Sequence, residues 1–135
     1  MARHLGLTYL DTVIIPMSGG GLISGIATAI KETCLSVPLK NTIADGLRIS
    51  VPGQNPYPII EKYVDEIVLV EDEHIIAGMR ALVKDAKLIA EPAASIGIGA
   101  LLAGSVKLRP DEKVCVVLTG GNWDLCDLAE VYAGG

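Results

Sequence analysis

Phenylalanine is absent from these 135 residues, and aromatic side chains make up only 4% of them. Hydrophobic residues still account for 50% of the chain. The expected core is therefore aliphatic, built from Ile, Leu, Val and Ala, and the length suits one such core rather than two. Positive charge is also scarce. Eleven Lys and Arg stand against 16 Asp and Glu, a net charge of −5. With no basic cluster to offset it, that balance argues against a nucleic-acid partner. No Cys-x-x-Cys pair occurs, and Cys34, Cys115 and Cys126 cannot all pair with one another. A reducing, cytoplasmic setting is the expectation. The longest nearly uncharged run, residues 92–106, falls short of the ~18 apolar residues of a spanning helix. No signal peptide opens the chain, so a soluble protein with no membrane partner is expected.

Glycine, by contrast, is plentiful, and three fall in a row in MSGGGLISGIATAIK, residues 17–31. Before them stands the β-branched run TVII; after them Leu22, Ile23, Ile26, Ala27 and Ile30 repeat at helical spacing. Ordering a glycine costs roughly 0.5–1 kcal/mol more than ordering an alanine, so this strand-to-helix turn has a use for bare backbone. Free amides and the positive end of a helix dipole converge there and suit an anion. Gly19, Gly20 and Gly21 would admit it, with Ser18 and Ser24 as possible hydroxyl donors. No Lys-Ser/Thr follows, which excludes a Walker-type loop. Ser24 stands where a dinucleotide fingerprint needs its third glycine. A single phosphate monoester remains, beside the plainer alternative of a turn that only packs a helix on a strand.

Residues 12–15, 66–70 and 114–118 are the expected strands. Helices are expected after the glycines, from a cap at Asp72 through Ala86, from Glu91-Pro92, and through Leu125, Leu128 and Val131. Residues 33–58 hold four of the seven prolines and look like loop. In the helix after Pro92, Ala93, Gly97, Ala100 and Gly104 form a small-residue stripe that another element can approach closely. Strands apolar on both faces and alternating with helices imply an open parallel sheet in a three-layer α/β fold. Three strands are few; either a strand hides in residues 33–58 or the sheet is completed from outside. A second glycine loop, Thr119-Gly120-Gly121-Asn122, ends the last strand. Both loops then share the carboxyl edge of the sheet, where ligands of such folds bind. The Thr119 hydroxyl would bond a ring nitrogen or cap the next helix.

The segments IIPMSGGGLISGIATAIK, NTIADGL, LIAEPAASIGIGALLAG and VCVVLTGGNWDL resemble, in order, the C-terminal half of fold type II pyridoxal-phosphate enzymes. The nearest group is the threonine/serine dehydratases and serine racemases. The resemblance implies that residues 1–135 are a single partial domain, part of the large cofactor domain, with pyridoxal 5'-phosphate as cofactor. Ser18, Gly19, Gly20, Gly21 and the Leu22 amide would cradle its phosphate, and Thr119 would meet the pyridine nitrogen. Gly46 would lie close to the ring, and Glu91 and Asn122 would line or buttress the site. For Glu91 the alternative is a helix-dipole partner. An alcohol cannot hold the ring as a charged pyridinium as a carboxylate would, which favours elimination of a β-hydroxyl over fuller carbanion chemistry. The implied activity converts L-threonine or L-serine to a 2-oxo acid and ammonia. The alternatives are an amino-acid racemase of the same family and a non-catalytic pyridoxal-phosphate-binding fragment; a nucleotide-binding domain is a more distant reading. Family members are commonly dimers, so a homodimer is expected.

The departures are equally specific. The family's Schiff-base lysine and its Ser-x-Gly-Asn-His substrate loop belong to an N-terminal half with no counterpart here. Lys31, Lys40, Lys62, Lys84, Lys87, Lys107 and Lys113 lack the family context of that lysine and look like surface charges. No catalytic residue is therefore assigned in this chain, and the lysine is expected from the missing N-terminal half or another chain. A further family strand and helix between Lys31 and NTIADG are missing here, the chain passing directly through ETCLSVPLK. In the racemases that stretch carries acidic metal ligands, so no metal site is expected. His4 and His74 lack partners at ligand spacing.

Overall fold

The structure is a computed structural model that describes residues 10–32, 39–43 and 53–133. Four strands, β1 (Thr12–Met17), β2 (Leu39–Ile43), β3 (Glu66–Leu69) and β4 (Val114–Val116), form one sheet of order β3-β2-β1-β4. Every pairing is parallel. Helices α1 (Gly21–Glu32), α2 (Tyr57–Tyr63), α3 (Asp72–Ala81), α4 (Pro92–Leu102) and α5 (Leu125–Ala133) are the described α-helices.

Parallel strands need covering on both faces, and β1 shows how the run TVIIPM meets that need. Val13, Ile15 and Met17 pack with Ile23 and Ala27 of α1 and Ile60 of α2. The alternate residue Ile14 packs with Ala100 of α4 and with Val106. A further layer forms where Ile75 and Met79 of α3 meet Ile96 of α4. The α/β three-layer expectation therefore holds. None of the described helices is long and apolar enough to cross a membrane.

Several local expectations are corrected. Residues 33–58 are not all loop, because β2 lies within them, between β1 and β3, and α2 begins at Tyr57 with Pro56 as its N-cap and Pro58 in its first turn. The segment LKNTI hides its strand because Lys, Asn and Thr dilute the apolar signal while its backbone pairs on both sides. Asp72 is not a cap: Glu71 is the N-cap of α3, without a side-chain cap bond, and Asp72 and Glu73 sit in the first turn where the dipole favours them. The expected helix through Ala86 changes character at Leu82–Ala86, a π-helical turn closed by Lys87 at φ 58°. β3 is an exposed edge rather than a strand buried on both faces; Ile67 and Leu69 are 44% and 73% exposed, and only Val68 is half-buried against the core.

The small residues of α4 serve two neighbours. A Cβ on Gly97 would lie 2.6 Å from Val116 Cγ1 and 3.2 Å from Ile14 Cγ2, so this side faces the sheet. Gly99 lies outside the stripe and faces α3, where a Cβ would stand 2.5 Å from the His74 carbonyl oxygen. Gly104 lies beyond the helix at φ 67°, in a Schellman end with Ser105 N donating to Ala100 O (3.0 Å) and Gly104 N to Leu101 O (3.1 Å).

At the amino edge of the sheet, side chains pin β4 to β1. The buried Asp11 carboxylate accepts from the Lys113 amide at 2.9 Å and pairs with Arg109 at 3.3 Å. The buried Thr12 hydroxyl donates to Glu112. The opposite edge is left to the two glycine loops.

Candidate cofactor site

From β1 the chain moves outward through β2 and β3, then returns to place β4 on the other side of β1. The direction of winding thus reverses between β1 and β4, and a crevice opens at the carboxyl ends of such a strand pair. The parallel register Thr12↔Val114, Val13↔Cys115, Ile14↔Val116 brings both ends to the same edge. Ser18–Gly21 leave β1 there and Thr119–Asn122 follow β4 there, on neighbouring strands about 4.8 Å apart.

The first loop presents open backbone amides. The hydrogen-bond ladder of α1 begins with Ser24 N donating to Gly20 O at 3.0 Å, so the amides of Gly21, Leu22 and Ile23 have no partner within the helix. The first turn of α1 carries no acidic residue. Gly20 has φ 94°, and a Cβ there would lie 2.7 Å from Ile60 Cδ1 and 2.8 Å from Pro56 Cβ. Its conformation and its packing both require glycine. Gly19 O accepts from Gly53 N at 3.0 Å, which ties the loop to the segment before α2. At Gly21 a Cβ would meet nothing within 4 Å; open space lies where an anion would approach the amides. Ser18 is half-buried and Leu22 exposed. Ser24 is not the extra donor to a ligand that its position suggested, because its hydroxyl donates back to Gly21 O at 3.1 Å.

The second loop is held from α4. Gly120 has φ 99°, and the Glu91 amide donates to its carbonyl at 3.2 Å. The Glu91 carboxylate occupies the place where a Cβ on Gly120 would stand. Although Glu91 is the N-cap of α4, its side chain makes no cap hydrogen bond. Its carbonyl serves the helix, accepting from the Ala94 and Ser95 amides and from Ser95 Oγ at 3.0 Å. The carboxylate thus stands at the N-terminus of α4, where the dipole favours it, and also lies against the glycine loop. Thr119 and Asn122 are exposed at this edge, while the neighbouring Trp123 packs on the Ile75, Met79 and Ile96 cluster. The structure therefore brings Ser18, Gly19, Gly20, Gly21, Leu22, Glu91, Thr119 and Asn122 to one edge; Gly46 lies outside the described residues.

Sequence reasoning missed the backing of both loops. Pro56 and Ile60 stand behind Gly20, and the Ile89 carbonyl would lie 3.2 Å from a Cβ on Gly121. The proline-flanked PYP segment, residues 56–58, was the only local signal of the first.

A family model described as pyridoxal-phosphate dependent enzyme matches residues 1–120. The chain belongs to that family. Its pyridoxal-phosphate dependence fits the site as built: open amides at the start of α1 for a phosphate, with room in front of Gly21, and a hydroxyl residue on the neighbouring strand's loop. An L-threonine ammonia-lyase of Geobacter sulfurreducens is 37% identical over 96% of this chain and 38% of its own length. An L-threonine dehydratase, TdcB, of Staphylococcus aureus is 34% identical over 97% of this chain and 47% of its own. Among solved structures, maize serine racemase matches with a TM-score of 0.82 at 28% identity, over 98% of this chain and 50% of that one. Serine racemase of Dictyostelium discoideum matches with a TM-score of 0.81 at 26% identity, over 90% of this chain and 47% of that one. The fold is that of the fold type II pyridoxal-phosphate enzymes, and the chain spans about half the length of these relatives or less.

Proposed function

We propose that this chain is the cofactor-holding part of a dehydratase that converts L-threonine or L-serine to a 2-oxo acid and ammonia. The observation that carries this reading is the pairing, across one parallel strand pair, of open helix-terminal amides with a loop bearing an alcohol. Pyridoxal phosphate, when bound, supplies the electron sink that makes the α-proton of an amino acid removable. The amides of Gly21 and Leu22, with the Ser18–Gly20 turn before them, hold the phosphate. The Thr119 hydroxyl would be the ring nitrogen's neutral partner, an environment that would favour loss of a β-hydroxyl over deeper carbanion chemistry. Asn122 and Glu91 complete the wall beside it.

The Schiff-base lysine comes from polypeptide outside these 135 residues, either an N-terminal half or another chain, and the chain by itself turns over negligibly. The length of the relatives supports this. So does the exposure of the described lysines 62, 84, 87, 107 and 113. The working assembly is a cytoplasmic homodimer. A serine racemase is the second reading, favoured by the two solved racemases matched above.

Borohydride reduction after incubation with pyridoxal phosphate, followed by intact mass, tests the proposal. Reversible binding without stoichiometric labelling of a lysine is the expected result. Labelling of one lysine, or keto-acid release by the chain alone, would overturn it.

A further inference from the structure

Glu91 holds a carboxylate at this edge that makes no hydrogen bond to the helix it begins. An N-cap side chain ordinarily turns onto the free amides of its own helix; Glu91 makes no such bond. Its Cδ and Oε2 instead lie 2.5 and 2.9 Å from the point where Gly120 would carry a Cβ, with Oε1 nearer still. The same residue's amide holds the Gly120 carbonyl at 3.2 Å. One residue thus grips one glycine twice, from side chain and backbone. That glycine sits at φ 99°, directly after Thr119. Next to it, the Ile89 carbonyl backs Gly121.

We propose that Glu91 is the positioning residue of the Thr119 loop. Its side chain and amide hold residue 120 in the left-handed conformation, and the orientation of that peptide decides where the Thr119 hydroxyl stands. Glu91 acts by shape, as a planar group of fixed size laid against Gly120, and not as a proton donor or acceptor. The grip on the loop is independent of the cofactor; its consequence for pyridoxal phosphate rests on the function proposed above.

The test uses the full chain and two readouts: the backbone amide resonances of Thr119, Gly120 and Gly121, and the affinity for pyridoxal phosphate followed by fluorescence. Glu91→Ala is expected to move those resonances and to weaken binding about tenfold, the scale of coupling between residues in contact. Glu91→Gln, which keeps the shape, is expected to restore the parental resonances. Gly120→Ala should also weaken binding, and its combination with Glu91→Ala should be no weaker than Gly120→Ala alone. Unmoved resonances in Glu91→Ala would overturn the proposal, as would a Glu91→Gln that shifts them as far as Glu91→Ala does, or losses that simply add in the double variant. A parent chain that does not bind pyridoxal phosphate would sink the cofactor reading instead, and the resonances would still decide the role of Glu91.

Discussion

Gly20 and Gly21 are adjacent and do different work. Gly20 is needed by the fold, because its positive φ and its contacts with Ile60 and Pro56 both refuse a side chain. Gly20→Ala should therefore lose about 2–4 kcal/mol of stability, from left-handed strain and overpacking together, seen as a lower urea midpoint. Gly21 is, in the function proposed above, part of the phosphate cradle. A Cβ there meets only open space, so Gly21→Ala should hold stability to within about 1 kcal/mol. It should nevertheless weaken pyridoxal phosphate binding several-fold, by intruding on the space before the amides. Paired urea titrations and fluorescence binding on the two variants would separate these roles. A Gly21→Ala that binds as the parent does would remove Gly21 from the cradle.

Helices α3 and α4 meet backbone to backbone. A Cβ on Gly78 would lie 2.7 Å from Gly99 N, and one on Gly99 would lie 2.5 Å from the His74 carbonyl oxygen. Backbone cannot step aside as a flexible side chain can, so Gly99→Ala should cost about 2–3 kcal/mol. Gly104→Ala, strained at φ 67° but facing open space, should cost only about 1–2 kcal/mol; urea unfolding of both variants ranks packing against conformation. The small-residue stripe read from the sequence does meet the sheet closely at Gly97, but the closest approach to α3 is made by Gly99, which lies outside that stripe. Periodicity marks which residues share a helix face, whereas the neighbour that comes closest depends on how whole elements cross.

The last helix is fastened by a reciprocal pair of contacts. The Arg80 guanidinium donates to Val131 O at 2.7 and 2.9 Å, and Tyr132 Oη donates to Met79 O at 2.7 Å. Burial pushes the Tyr132 phenol above its ordinary pKa of 10.0, partly offset by the positive charge of Arg80. A raised value in the folded state means that the protonated form is favoured there. This contribution is thus whole below pH 10.0 and is lost as pH rises through the higher folded value. Hydrogen exchange in α5 should accelerate in that alkaline range. Tyr132→Phe should remove this added alkaline acceleration and cost about 1 kcal/mol below pH 10.0, where the contribution is whole.

At the scale of the whole molecule, the sheet carries apolar side chains at a margin. Leu69 is 73% exposed and Ile67 44% on β3, the strand at the end of the sheet order. An edge of that kind is a template for association. Leu69→Lys should reduce self-association in sedimentation velocity while moving the urea midpoint by no more than about 0.5 kcal/mol, as for other surface changes. Association unchanged by that substitution would place the sticky surface elsewhere, for instance at Leu125, 74% exposed.

Alternation of apolar runs with helical periodicity was enough, by itself, to determine a parallel sheet. The position of two glycine loops after two of those runs was enough to set them on one edge, because in a parallel sheet every strand ends at the same side. Tertiary structure alone decided that LKNTI stands between β1 and β3, that Ser24 turns its hydroxyl back on Gly21, and that the Glu91 carboxylate lies against Gly120. The division has one physical cause. A strand's place in a sheet depends on backbone hydrogen bonds that any side chain permits, and a polar side chain's partner is chosen by residues that folding brings near from far along the chain.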